Sequence, residues 1–323
     1  MKKIAVFTSG GDSPGMNACI RAVVRTAVFH GVEVMGIKRG YQGAIEGDFI
    51  PLESHSVANI IQRGGTILKT ARSADFFTVE GRKKAFENIS AQGIEGVVAI
   101  GGDGTFTGAG VFSSEYDIPF MGCPGTIDND LFGTDATIGY DTAINTVVDA
   151  VDKIRDTASS HNRLFFVEVM GKDAGFIALR SGISVGAEAI LIPETTTYID
   201  RLITKLKEGR RKNKSSCIII VAEGDDAGGA YEVAKKVGER FSEYDTRVSV
   251  LGHLQRGGSP SAMDRVLASR LGMTATEALL NGRKGEMVGI VNKEITFTPF
   301  AKAIKHHHSI NTDLLKLAEV LSI

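Results

Sequence analysis

Residues 4–31 read IAVFTSGGDSPGMNACIRAVVRTAVFHG. Ile4 to Thr8 is a short apolar run without polar alternation, the pattern of a parallel strand covered on both faces. From Met16 to His30 the apolar residues Met16, Ile20, Val23, Val24 and Ala27 form one helical stripe, and Gly31 supplies a C-terminal stop. The glycine-rich segment between them reads as the loop that joins strand to helix. The same succession recurs along the chain. Further strand candidates are Glu33–Ile37, Val97–Ile100, Ile118–Met121, Leu164–Val169, Ala189–Ile192, Ile218–Ala222, Val248–Leu251 and Val288–Val291. Helix-length segments separate them, and in Tyr140–Ala158 the stripe is Tyr140, Ile144, Val147, Val148, Val151, Ile154 and Ala158. Strands alternating with amphipathic helices predict an α/β protein with mostly parallel sheets.

At 323 residues the chain is long enough for two domains, each with its own core. Its composition, 43% hydrophobic and 23% charged, is that of a globular protein and excludes disorder and membrane spanning. Lys and Arg number 37 against 38 Asp and Glu, a net charge of −1. Bulk attraction to nucleic acid or an acidic membrane is therefore excluded, and an anionic ligand must be held by local Arg and Lys. The 38 glycines against 7 prolines show no collagen period or linker tract, so they serve tight turns and close backbone approach. Cys19, Cys123 and Cys217 are odd in number and widely spaced, which suits a reducing compartment and predicts a cytoplasmic protein. The apolar run after Met1-Lys2-Lys3 is too short for a signal peptide. The run His306-His307-His308 reads as surface, because three consecutive residues point in different directions and chelate poorly.

In a parallel α/β sheet, ligands sit beyond the carboxyl ends of the strands. Three loops there carry chemistry: Thr8 to Asn17, Gly101 to Thr105, and Cys123 to Asp130. Adjacent glycines before a helix turn backbone N–H groups toward phosphate oxygens. Asp103, between Gly102 and Gly104, repels a bare phosphate but suits Mg²⁺ lying between the two. Taken alone, the same residues also fit a tight turn capped by Asp. Asp128 and Asp130 face one side of an extended segment, so one can act as a base toward a hydroxyl that attacks phosphorus. An Asx turn is the competing reading of Asp-Asn-Asp. Arg21 and Arg25, four apart on the first helix, can grip one anion or simply face solvent. Arg72, Arg163, Arg247 and Arg256 each lie near a predicted strand or loop end. His253 fits either a ligand contact or a structural hydrogen bond. Neither the P-loop ending Gly-Lys-Ser/Thr nor Gly-x-Gly-x-x-Gly occurs in these loops.

Read together, these segments resemble the bacterial-type 6-phosphofructokinase family. The resemblance runs through Gly-Gly-Asp-Ser-Pro-Gly-Met-Asn from Gly10, Arg63-Gly-Gly-Thr, Gly101-Gly-Asp-Gly-Thr, Pro124-Gly-Thr-Ile-Asp-Asn-Asp, Val167-Glu-Val-Met-Gly and Gly252-His-Leu-Gln-Arg-Gly-Gly. It covers nearly the whole chain, in order and in register. The resemblance implies two doubly wound, three-layer α/β domains: residues 1–140 plus 255–302 for ATP and Mg²⁺, and residues 141–254 plus 303–323 for fructose 6-phosphate. It implies that the γ-phosphoryl of MgATP passes to the 1-hydroxyl of fructose 6-phosphate, giving fructose 1,6-bisphosphate and ADP. Gly11, Arg72, Ser73 and Gly102 to Thr105 (Gly102, Asp103, Gly104, Thr105) are implied for ATP, with Asp103 on the metal. Asp128 is implied as the base, with Thr126 and Asp130 holding the reacting groups and Arg72 neutralising the transferring phosphoryl. The sugar phosphate falls to Thr126, Ile127, Asp128, Met170, Gly171, Lys172, Glu223, His253, Leu254, Gln255 and Arg256. Arg163 and Arg247 are implied to reach in from a neighbouring subunit of a homotetramer. An effector site for ADP or phosphoenolpyruvate is implied at Arg21, Arg25, Arg155, Gly186, Glu188, Lys212 and Lys214.

Pyrophosphate-dependent relatives are the alternative, but they typically carry Asp in place of Gly104 and Lys in place of Gly125. Glycine at both positions leaves room for a nucleotide and favours ATP. A lipid or NAD kinase shares the Gly-Gly-Asp-Gly-Thr loop but has no reason to carry the Asp128 and His253–Arg256 segments. A non-enzymatic nucleotide sensor has no need of a base. Three departures stand out: Lys172 where the family usually has Arg, Ser54 in place of an Arg, and Asn59 in place of an Asp. Lys keeps the charge but not the two-pronged geometry of Arg. Together the departures predict reduced or altered allosteric control.

Overall fold

The computed structural model describes residues 1–160, 163–212, 216–304 and 310–322. Lys214 and the His306–His308 run lie outside the described residues. The elements run β1 (Lys3–Thr8), α1 (Met16–Phe29), β2 (Glu33–Ile37), α2 (Gly40–Glu46), β3 (Phe49–Leu52), α3 (Val79–Ala91), β4 (Val97–Gly101), α4 (Asp103–Tyr116) and β5 (Phe120–Pro124). They continue α5 (Tyr140–Ser159), β6 (Arg163–Val169), α6 (Phe176–Ser184), β7 (Ala189–Leu191), α7 (Ile199–Arg211), β8 (Cys217–Ala222), α8 (Ala230–Gly238) and β9 (Asp245–Val250). The chain closes with α9 (Ala262–Leu280), β10 (Glu286–Val291), β11 (Glu294–Pro299), α10 (Phe300–Ala303) and α11 (Thr312–Leu321). No helix among the described residues is long and apolar enough to cross a membrane.

The chain forms two compact units. One comprises Met1–Ile127, Leu131–Thr142 and Arg256–His308; the other comprises Asp128–Asp130, Ala143–Gln255 and Ser309–Ile323. Asp128 to Asp130, placed by the sequence reading in the first domain, therefore group with the second unit.

The first unit is built on a seven-stranded sheet in the order β11-β10-β5-β4-β1-β2-β3. The five central strands are parallel, and β3 and β11 add antiparallel to the two edges. Alternate residues of one strand enter opposite layers. Ile4 and Val6 pack with Met16, Ile20, Val23 and Leu271 of α1 and α9. Ala5 and Phe7 pack with Tyr41, Ile89, Phe106 and Phe112 of α2, α3 and α4. Both faces are covered, so the interior of β1 is apolar from Ile4 to Phe7. The two edge strands escaped the sequence reading for related reasons. β3 is four residues long with Pro51 in it, which only an edge tolerates, and β11 mixes charged and apolar residues along a half-exposed edge.

The second unit carries a four-stranded, wholly parallel sheet in the order β7-β8-β6-β9. Leu164, Phe166, Ile219 and Val221 pack against Leu202, Leu206, Val233 and Val237 of α7 and α8. The sequence reading began β9 at Val248, whereas the strand starts at Asp245. The polar triplet Asp245-Thr246-Arg247 concealed its first half.

A buried carboxylate fixes the first unit where α5 and α9 begin. Asp264, fully buried, accepts hydrogen bonds from Gly139 N at 2.8 Å, Thr142 N at 2.8 Å and Thr142 Oγ1 at 2.5 Å. Ser261 caps α9 through Asp264 N and donates to Asp141 Oδ2 at 2.6 Å. Burial pushes the Asp264 carboxyl above its ordinary range, and the bonds from Thr142 and Gly139 pull it back. Replacing Asp264 by Ala strands three buried donors at once. The expected result is a loss of about 3 kcal/mol of stability, read as a lower urea midpoint. An unchanged midpoint would show that water replaces the carboxylate without cost.

Candidate functional site

In each unit the strand order reverses between two neighbouring strands, and the loops that leave their carboxyl ends there are the natural ligand loops. In the first unit β1 leads to β2 on one side, while β4 and β5 lie on the other. The three loops singled out by sequence leave β1, β4 and β5, which are neighbours in the sheet. Ser9 N donates to Ile100 O at 3.0 Å, and Gly125 N to Gly101 O at 2.9 Å, so the loops start in register.

The local sequence explains their shape. Gly10 and Gly15 take the left-handed backbone region, at φ +84° and +115°. A side chain on Gly101 would collide with Ser9 O and Thr105 Oγ1. Asn17, almost fully buried, accepts from Ile67 N at 2.8 Å and donates to Arg63 O and Gly64 O. That fastens the Arg63-Gly-Gly-Thr segment to the start of α1. Gly64 in turn lies against Gly258 O, where no side chain fits.

Asp103 is the first residue of α4 and is exposed, and Gly104 N donates to its Oδ1 at 2.6 Å. Thr105 Oγ1 is buried without a hydrogen-bond partner among the described residues. A carboxylate at a helix N-terminus, glycines on both sides and a spare hydroxyl form a donor set that suits a divalent ion on phosphate oxygens. A Cβ at Gly102 would lie 3.7 Å from Thr126 Cβ, so this loop abuts the segment that leads into Asp128. Asp128 is 9% exposed, and Asn129 beside it adopts φ +55°.

The two glycines behind the donor argument differ. A Cβ at Gly104 would meet open space, in keeping with room for a ligand. A Cβ at Gly125 would press on Ile100 Cγ2 at 2.9 Å and Met16 Cε at 3.2 Å. Gly125 is therefore accounted for by packing against β4 and α1, and the reading that it leaves space for a nucleotide is corrected.

The loop carrying Arg72 and Ser73 is held by residues that the sequence reading did not single out. Ser73 Oγ donates to Gln42 Oε1 at 2.7 Å, and Phe76 stacks on Tyr41 with centroids 3.9 Å apart. Tyr41 Oη donates to Thr105 O at 2.5 Å, tying the Arg72 loop to the Asp103 loop. Arg82, 9% exposed, donates to Phe76 O and Phe77 O and forms a two-pronged pair with Glu115 at 2.6 and 2.7 Å. Glu115 keeps the Arg82 guanidinium protonated to higher pH than usual. Arg72 itself is exposed.

Arg256 sits on the first loop. Its Nη1 donates to Asp12 O at 3.2 Å, and its guanidinium fills the space a side chain on Gly11 would need. Gly11 thus has a structural reason to be glycine apart from any nucleotide.

In the second unit the reversal falls between β6 and β9, and the relevant loops leave β8, β6 and β9. Glu223 Oε1 accepts from Lys172 N at 2.7 Å and Gly171 N at 3.3 Å. Gln255, fully buried, accepts from Met170 N at 3.2 Å and donates to Gly252 O at 3.1 Å. Glu223 and Gln255 thus brace the Met170–Lys172 loop. Ile127 is likewise fully buried, whereas His253 and Leu254 are exposed. Lys172 takes φ +56°, with its amide held by Glu223. Glu168 of the Val-Glu-Val-Met-Gly motif accepts from Ala230 N at 2.7 Å and so caps α8.

The residues expected at an effector site are divided between the two units. Arg21 and Arg25 stand on α1 of the first unit, and burial together with the Arg25 charge lowers the Arg21 pKa. Arg155, Gly186, Glu188 and Lys212 belong to the second unit. Arg155 donates to Val185 O, Gly186 takes φ +59° with open space beyond it, and Glu188 and Lys212 line a cavity of about 480 Å³ beside α7.

The sequence profile described as Phosphofructokinase matches residues 3–279. The chain is 58% identical to an ATP-dependent 6-phosphofructokinase of Cytophaga hutchinsonii, covering 100% of this chain and 98% of that one. It is 56% identical to ATP-dependent 6-phosphofructokinase 1 of Thermus thermophilus, covering 100% of each. Among solved structures it is similar to phosphofructokinase from Saccharomyces cerevisiae, with a TM-score of 0.91 and 37% identity. That match covers 100% of this chain and 48% of the yeast chain.

Proposed function

Because the chain belongs to the phosphofructokinase family, we propose that it transfers the γ-phosphoryl group of MgATP to the 1-hydroxyl of fructose 6-phosphate. The products are fructose 1,6-bisphosphate and ADP. The observation that carries this is the abutment of the Gly102-Asp103-Gly104 loop on Thr126, two residues before Asp128. Phosphoryl transfer asks for positioning and charge neutralisation more than for covalent chemistry by the protein.

In this reading Gly11, Ser73 and Gly102 to Thr105 bind the nucleotide. Asp103 holds Mg²⁺, which neutralises phosphate charge when bound. Asp128 accepts the proton of the sugar 1-hydroxyl as that oxygen attacks. Thr126 and Asp130 orient the reacting groups, and Arg72 faces the transferring phosphoryl. Met170 to Lys172, His253, Leu254 and Arg256 hold the sugar phosphate, with Glu223 and Gln255 shaping the loop. Arg163 and Arg247 of a second copy complete the phosphate site in a homotetramer that works in the cytoplasm. ATP is favoured over pyrophosphate by the open space at Gly104 and by the similarity to ATP-dependent 6-phosphofructokinases at 56–58% identity over the full chain.

The test is a coupled assay for fructose 1,6-bisphosphate with Mg²⁺, comparing ATP with pyrophosphate. Turnover with ATP alone is the expected result, and turnover with pyrophosphate alone would overturn the donor assignment.

The effector reading concerns ADP or phosphoenolpyruvate at Arg21, Arg25, Arg155, Gly186, Glu188, Lys212 and Lys214. Ser54 and Asn59, both exposed, bring no cation to such an anion. Titrating either effector against the sugar-phosphate saturation curve should therefore shift it less when Ser54 is Ser than when it is replaced by Arg. Equal shifts in the two proteins would remove Ser54 from the account.

A further inference from the structure

Two of the arginines assigned to the sugar phosphate share one carboxylate. Arg163 opens β6, and Asp245 and Arg247 stand on the adjacent parallel strand β9, with Arg163 in register with Asp245. Asp245 and Arg247 are two apart and so project from the same face of β9. Arg163 Nε donates to Asp245 Oδ2 at 3.3 Å, and Arg247 Nη1 lies 2.7 Å from Asp245 Oδ1. Each oxygen of the carboxylate thus takes one guanidinium. Their side chains are 25%, 45% and 50% exposed for Arg163, Asp245 and Arg247.

In the single chain, pairs this exposed add little to its stability, because water and salt screen them and two long side chains must be ordered. Their arrangement calls for another reason. Two guanidinium groups side by side are a receptor for a phosphate dianion, which accepts hydrogen bonds on several oxygens. A carboxylate between them offers a smaller anion at the same donors. We propose that Asp245 is an internal competitor for the sugar phosphate: it occupies the donors of Arg163 and Arg247 until the substrate phosphate displaces it, and so sets the substrate concentration the enzyme needs. This rests on the reading of Arg163 and Arg247 as sugar-phosphate ligands.

The opposing possibility is that Asp245 orients the arginines and thereby helps binding. The strands argue against it, since backbone pairing of β6 with β9 already places Arg163 and Arg247 on one face. Removing the carboxylate also raises the formal charge of the trio from +1 to +2 (two Arg and one Asp, against two Arg), which favours a dianion. Competition for donors and charge repulsion act in the same direction.

The experiment is the fructose 6-phosphate saturation curve of the full-length enzyme with Asp245→Asn. The half-saturating concentration should fall about fivefold, the worth of a surface ion pair near 1 kcal/mol. The change should appear in half-saturation rather than in limiting rate. A disturbed structure would raise half-saturation, so the direction separates the two. In an Arg247→Gln background the same substitution should gain less, because one of the donors it releases is gone. Asp245→Glu, which keeps the charge, should stay near wild type. Half-saturation unchanged or higher in Asp245→Asn overturns the inference while wild-type turnover still supports the enzyme. Absence of turnover in the wild type overturns the underlying reading instead.

Discussion

Replacing Asp128 by Asn will leave MgATP binding intact and lower turnover by about three orders of magnitude, within the range of a lost general base. Asn matches Asp in size and keeps a carbonyl oxygen, but it does not take up the proton of an attacking hydroxyl. Asp128 is 9% exposed, so an isosteric change is the one that tests chemistry rather than packing. Asp128 is given no part in holding the nucleotide, so nucleotide affinity and turnover should separate, the first measured by calorimetric titration and the second by the coupled assay. Turnover near wild type would remove Asp128 from its role as base.

The second large effect is expected at Arg72. Its loop is held by Ser73 on Gln42, by the stack of Phe76 on Tyr41, and by Arg82 on the carbonyls of Phe76 and Phe77. None of those contacts involves the Arg72 side chain, which is exposed. Truncating Arg72 to Ala should thus leave the thermal midpoint in place and lower kcat by about 10²- to 10³-fold, as when one preorganised charge is removed from a transition state. Arg72→Lys should recover part of the loss, because it restores charge without the planar fork. A drop in stability with kcat preserved would make Arg72 a structural residue.

These predictions trace back to what the chain discloses before it is folded. The strands buried on both faces were legible because continuous Val/Ile runs have few other uses, and the loops were legible because glycine pairs before a helix are chemically pointed. Edges were harder. β3 and the first half of β9 are short or polar, since an edge strand is covered on fewer sides and its pattern fades. Residues that shape the site from behind were harder still. Tyr41, Arg82 and Asp264 lie far in sequence from what they hold: Tyr41 Oη reaches Thr105 across 64 positions, and Asp264 reaches Gly139 across 125. Asp264 carries a clue in the capping pattern Ser261-x-x-Asp264, and Tyr41 carries none. Gly125 shows the opposite error, since a glycine beside a ligand loop invites a ligand explanation even where Ile100 and Met16 require it. Gln255 stands in the middle of the motif proposed for the sugar phosphate, and only its burial and hydrogen bonds show that it braces a loop.

The central claim is that the terminal phosphoryl group of ATP passes to the sugar. It is tested most directly by incubating the protein with Mg²⁺, fructose 6-phosphate and ATP radiolabelled at its γ-phosphate, then separating the products. The account predicts label in fructose 1,6-bisphosphate in step with ADP formed, and transfer slowed about a thousandfold with Asp128→Asn. ADP appearing with the label in inorganic phosphate, or a sugar left unlabelled while ATP persists, would contradict it.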